Sequence, residues 1–367
     1  MCAGAVWDSS YFFLHQAARV HSWPSSGLSF FTRIYDDDTI LVDHDVDWDF
    51  SVDLCSLTVL PCSLTIGGDC ANKSSRNCDL SRTIRRLENS TITCDAGKGC
   101  TGFSVEGVTV SCGNQISRAP PLQVSGSGAS VTITNSVFQD CSSEAGGGAI
   151  QVLDGAVVIV SGSSFLRSFS TSDGGAMSVL GAQASIVDSS FLDCRAPEGR
   201  GGALLVQNFP AYPSPLPSTV RLQGCQLSRN SADEGGSLAL VGRSSEAVIL
   251  DCSFTANWAT QSGGAVAVIE FGQASISEST FDDNRASGPG GGALYATSSS
   301  VELAANLFSR NSALGGGGGT LLWNGNLCNE LRCSCKEMIS SLRFDTVVIH
   351  PGCCSGYTTH ESQGSLC

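Results

Sequence analysis

From Ser130 to Gly325, apolar and polar residues alternate in short runs that return with one period. After each small-residue corner the first and third residues are apolar: Ile150/Val152, Met177/Val179, Leu204/Val206, Leu238/Leu240, Val266/Val268, Leu294/Ala296 and Leu321/Trp323. The residue between them varies, from Gln151 to Leu205 to Tyr295. A second run alternates likewise, with Val131/Ile133, Val158/Val160, Ala184/Ile186, Val220/Leu222, Ala247/Ile249, Ala274/Ile276 and Val301/Leu303 on one side. Period two with one apolar side predicts strands that bury a single face. The corners begin at Gly147, Gly174, Gly201, Gly235, Gly263, Gly291 and Gly318, spaced 27, 27, 34, 28, 28 and 27. A turn led by Phe138, Phe165, Phe191, Leu227, Phe254, Phe281 and Phe308 recurs at 27, 26, 36, 27, 27 and 27. Two tracks share a period and lengthen at the same place, which is internal repetition.

A 27-residue unit made only of short strands cannot close a core alone. Stacked copies can, because each strand then pairs with its copy one coil away. The predicted fold is all-β: a single-stranded, right-handed parallel β-helix of about seven regular coils, preceded by irregular N-terminal coils. A β-α-β solenoid needs helical periodicity between strands, and the Gly/Ser-rich connectors have none. Glycine pairs suit the corners, where one residue adopts positive φ and neither obstructs the next coil. Asn230, Asn257, Asn284 and Asn311 recur three residues after the phenylalanine track and are expected to stack as an amide ladder.

Gly-Gly-Ala followed by Ile, Leu or Val, combined with Phe-x-x-Asn at Phe254–Asn257, Phe281–Asn284 and Phe308–Asn311, resembles the repeats of the polymorphic outer membrane proteins of chlamydiae. Similar repeats occur in large algal and protist proteins. The resemblance implies adhesion or surface display and brings no catalytic residues. Cys141, Ser168 and Cys194 replace the asparagine in the first three repeats. Chlamydial members end in a membrane β-barrel, and the 40 residues after Leu327 are too few for one. The expectation is therefore a fragment, a passenger-only form or a relative without the barrel.

Four regions are expected: a partly disordered acidic cap (residues 1–53), irregular Cys-rich coils (54–129), the regular repeats (130–325) and a Cys-rich C-terminal cap (326–367). In the first, Asp43, Asp45, Asp47 and Asp49 share one face of a strand, either as a cation site or as charges that stop edge pairing. Net charge −14 speaks against nucleic acid as a partner. The expected partners are cell-surface or matrix glycans or proteins. Eighteen cysteines favour an extracellular or cell-surface location. Asn72 and Asn89 head glycosylation sequons. No signal peptide or membrane span is visible, so a truncated or misassigned start is expected. Cys225 and Cys252 sit one coil apart, either as a disulfide or as stacked thiols. The long interruption Gln207–Ser218 carries Phe209 and Tyr212, either as a contact loop or as a tolerated insertion.

Many β-helices cleave acidic polysaccharides, using a basic residue with carboxylate-held calcium or clustered carboxylates. From Ser130 to Gly325 there is no lysine or histidine. Asp282 and Asp283 are adjacent on a turn and should diverge. The acids before the corners, Glu144, Asp173, Glu198, Asp233 and Glu234, follow no fixed register. A non-catalytic chain without cofactor is the expectation; a polysaccharide-binding or polysaccharide-cleaving β-helix is the alternative.

Overall fold

The structure is a computed structural model. It describes residues 91–113, 115–208 and 216–315, with the backbone of short strands at Val20–Ser22, Asp38–Leu41, Val46–Trp48, Val52–Asp53, Cys62–Gly67, Thr83–Arg86, Leu321–Asn324 and Val347–Ile349. Asp43, Asp45, Asp49, Asn72, Asn89, Phe209 and Tyr212 lie outside the described residues, as does the side chain of Asp47.

Each regular coil contributes one strand to each of four parallel sheets. One coil runs Ile150–Leu153, Val157–Ser161, Ser164–Leu166 and Phe169–Ser170. Their sheets are here the corner, broad, phenylalanine and short sheets. The phenylalanine segment, which the sequence pattern reads as a turn, is two strands. The first has three residues in each regular coil, too few to show a period, and the second varies from two to six. The fold is a right-handed parallel β-helix.

The apolar columns stand in register. Ile150 pairs with Met177, Met177 with Leu204, Leu204 with Leu238, Leu238 with Val266, and Val266 with Leu294. All six are fully buried. On the facing wall the rings of Phe165 and Phe191, Phe254 and Phe281, and Phe281 and Phe308 stack at 4.7 Å, which is the rise of one coil. The two glycines of a corner do different work. Gly174 adopts φ +65°, while a β-carbon on Gly175 would overlap Gly202 O of the next coil. The first needs glycine for its conformation and for the close Met177 carbonyl of its own coil, the second for its neighbour in the next coil.

Two left-handed corners flank every phenylalanine strand. Before it stand Asn135, Gly162, Asp188, Gly224, Asp251, Glu278 and Ala305, with φ between 48° and 63°. After it stand Asp140, Arg167, Asp193, Arg229, Ala256, Asp283 and Arg310, with φ between 51° and 57°. Such angles cost roughly 1–2 kcal/mol each for a residue with a β-carbon. The residue after each corner is buried, and at most of these positions its side chain caps the neighbouring coil; Ser168 Oγ finds no partner and Cys141 is in a disulfide. After the second corner, Asn230, Asn257, Asn284 and Asn311 form a ladder. Asn230 N donates to Asn257 Oδ1 (3.0 Å), Asn257 N to Asn284 Oδ1 (3.0 Å) and Asn284 N to Asn311 Oδ1 (2.9 Å). Their Nδ2 groups donate to Phe191 O, Leu227 O, Phe254 O and Phe281 O. After the first corner, Ser136, Ser163, Ser189, Cys225, Cys252, Ser279 and Asn306 occupy the corresponding place. Ser136 N donates to Ser163 Oγ (3.1 Å), Cys252 N to Ser279 Oγ (3.1 Å) and Ser279 N to Asn306 Oδ1 (2.9 Å). Buried turn amides thus find partners without an extra residue in the coil.

Candidate binding edge

The second corner forms an edge between the phenylalanine and short sheets. Its left-handed column reads Asp140, Arg167, Asp193, Arg229, Ala256, Asp283, Arg310, so charge alternates in sign from coil to coil over most of its length. Arg167 grips Asp140 with two bonds, Nε to Oδ1 at 2.6 Å and Nη2 to Oδ2 at 2.8 Å. Arg229 holds Asp193 the same way at 2.9 and 2.8 Å. Arg310 donates to Asp282 and Arg285 to Asp283, so the two adjacent aspartates diverge to different arginines. The hydrogen bonds from Arg229 hold the Asp193 carboxyl below the usual carboxylate range. Those from Arg310 and the Ser309 hydroxyl do the same for Asp282. Bonding to Asp140 raises Arg167 further.

Beside this column the short sheet presents an in-register row: Ser142, Phe169, Arg195, Ser231, Trp258, Arg285 and Ser312. Trp258 is 43% exposed, and its ring Nε1–H donates to Ser287 Oγ at 3.1 Å, which fixes the ring's direction. Arg195 and Arg285 are exposed. The sequence pattern left this edge unread. Its signal is an Asp or Arg two residues after most phenylalanine-track positions.

Cys225 and Cys252, the candidate disulfide, stand as two buried thiols one coil apart. Cys225 N donates to Cys252 Sγ at 3.4 Å. They occupy the serine ladder and serve it as acceptors. Hydrogen bonding to Cys225, with burial, pushes the Cys252 thiol up. Cys194, alone among asparagine-slot neighbours, is pushed up to about 12 by burial. Among the described residues the disulfides lie lower in the stack, Cys94–Cys100 within a coil and Cys112–Cys141 between two coils. Among the acids before the corners, Glu234 pairs with Arg200 at 3.1 Å, Asp173 Oδ1 accepts from Arg200 N at 2.7 Å, and Asp233 accepts from the Thr260 hydroxyl. Among the described residues no three His, Cys, Asp or Glu side chains gather as a metal site, and no helix is long and apolar enough to cross a membrane.

Residues 81–254 match the right-handed β-helix region model, and residues 278–297 match the chlamydial polymorphic membrane protein repeat. The chain is a β-helix protein, and one stretch of it matches a polymorphic membrane protein repeat. The second match ends on the corner strand Leu294–Thr297 and includes Phe281 and Asn284, so the β-helix and the repeat are one structure. No curated protein matches this β-helix. A solved structure described as a mannuronic acid specific polysaccharide family 6 lyase from human gut microbiota aligns over 91% of each chain, at 10% identity and a TM-score of 0.36. That likeness is too distant to bear on what this β-helix does.

Proposed function

We propose that this chain is an extracellular or cell-surface β-helix protein whose stacked coils display an adhesive, non-catalytic face. One observation carries the reading. The inward columns stay apolar from coil to coil, whereas the outward row of the short sheet changes in chemical kind at each step, through Phe169, Arg195, Ser231, Trp258 and Arg285. A scaffold that keeps its core while its surface varies suits display. The Cys94–Cys100 and Cys112–Cys141 disulfides fit an oxidising compartment. The partnered state of Asp173, Asp233, Glu234, Asp282 and Asp283 supports a structural use of these acids.

The test is attachment. Beads coated with the full chain are expected to adhere to animal-cell layers or extracellular matrix, and unsaturated uronate should not accumulate from polyuronate incubated with it. Absence of attachment to every surface tried, or sustained release of unsaturated sugar, would overturn the reading.

A further inference from the structure

The charges of the regular coils are unevenly placed. Between Ser130 and Gly315 the chain has eight arginines and sixteen carboxylates. Five of those arginines, Arg167, Arg195, Arg229, Arg285 and Arg310, fall on the corner column and the row beside it, with four of the carboxylates, Asp140, Asp193, Asp282 and Asp283; Glu198, Asp233 and Glu234 stand further along the short-sheet strands. The opposite left-handed corner has the same backbone geometry and carries Asp188, Asp251 and Glu278 but no cation. Backbone conformation therefore does not explain the arginines. The edge also holds Trp258 and the half-buried Phe169, facing outward in the same row as Arg195 and Arg285.

We propose that this edge binds an anionic polysaccharide, sulfated or uronate-bearing, laid along the solenoid axis; the proposal rests on the surface-display reading above. The guanidinium is the side chain suited to two-pronged bonding with carboxylate or sulfate, and it is weakly hydrated. Among the described residues Arg195 makes no ion pair, which leaves its guanidinium for a ligand anion. The pairs formed by Arg167, Arg229, Arg285 and Arg310 are exposed, and exposed pairs are weak enough for a ligand anion to compete. The indole face of Trp258 offers the apolar platform on which a sugar ring stacks, and its bond to Ser287 holds that platform in place. Coils repeat at 4.7 Å, close to the advance of one sugar in an extended chain, so successive residues of the glycan meet successive coils. Elsewhere the coils are acidic and repel such a chain, which confines it to the edge.

The row itself supplies the controls. Serine already stands at 142, 231 and 312, so Arg195→Ser, Arg285→Ser and Trp258→Ser place a native occupant of the row. The full chain is passed over immobilised heparin and polymannuronate, with neutral dextran as the comparison. Binding to at least one anionic matrix is expected, weakening as salt rises. The double variant Arg195→Ser/Arg285→Ser should bind at least about tenfold more weakly, as loss of charge-assisted bonds predicts. Trp258→Ser should also weaken binding, while Arg221→Ser on the broad sheet leaves it unchanged. Failure to bind either anionic matrix overturns the proposal, as does equal binding by the double variant. Cell attachment by coated beads separates the two readings. Attachment that persists while glycan binding is absent leaves display standing and removes the polysaccharide. Attachment lost in the double variant without any glycan binding points to an acidic protein on the same edge and also overturns the polysaccharide.

Discussion

At Gly175 a methyl group would overlap the carbonyl oxygen of Gly202 and come within 2.6 Å of both Arg195 N and Arg195 O. None of these backbone atoms can move without shifting the next coil. Gly113 also has positive φ, +69°, but nothing lies within 4 Å of its missing β-carbon. Gly175→Ala should therefore cost about 3 kcal/mol through overpacking, and Gly113→Ala about 1–2 kcal/mol through conformation alone. Urea denaturation of the two variants measures the difference; equal costs would mean that close stacking is not what the second glycine serves. The polar ladders follow similar logic. Asn257→Ala would strand the buried Asn230 N–H and remove the side-chain donor to Leu227 O, while Asn284 Oδ1 keeps its bond from Asn257 N, and should cost about 3 kcal/mol. A loss under about 1 kcal/mol in the same assay would show that these groups find other partners. The asparagine ladder was legible because one unusual side chain recurs in one slot. The serine ladder was not, because serine is common throughout the chain and its column also admits Cys225, Cys252 and Asn306. What unites that column is the left-handed residue before it, and no residue type marks that position.

Strands and corners show the same division between what the pattern reveals and what it hides. The corner and broad strands run four to six residues in the regular coils, long enough for alternation to show, and the sequence identified both. Phe254 lies in a three-residue strand, Ser253–Thr255, where alternation has no room. The charged edge is a property of stacking. Asp193 and Arg229 are 36 residues apart in sequence yet bonded, and only the coil register brings them together. Its alternating signs favour one stacking register over a slip by one coil, which would bring like charges together. Arg229→Asp tests this while keeping a residue type already present in the column. Repulsion from Asp193 should cost up to about 1 kcal/mol at low ionic strength and vanish in concentrated salt. A penalty independent of salt would assign the loss to packing. Acid should act through the same pairs. Asp193 and Asp282 have lowered folded pKa values, so their contribution is present above the unfolded carboxylate value, about 4, and is lost as pH falls through the lowered values. Stability should thus hold down to about pH 4 and decline below it; a decline starting near neutrality would implicate other groups.

For the whole molecule, two tracks with one period sufficed to specify the stack, because every coil must solve the same burial problem. They did not indicate which side meets a partner, since outward residues are free to differ and leave no repeat to find. The stack also predicts how the molecule comes apart. Each coil touches only its neighbours, and a single coil buries too little to persist alone, so the shared interfaces carry the stability. Cys194, Cys225 and Cys252 report from three successive coils, and each is buried as a thiol. Burial keeps Cys194 protonated, with its pKa pushed up to about 12, and the protein wall excludes a bulky alkylating reagent. Under native conditions none of the three should react with a maleimide, even in mildly alkaline buffer. In rising urea all three should become reactive over one common transition, followed by peptide mapping of the alkylated sites. Reaction of Cys252 at markedly lower urea than Cys194 would mean that coils peel from one end, with interfaces too weak to bind neighbouring coils into one cooperative unit.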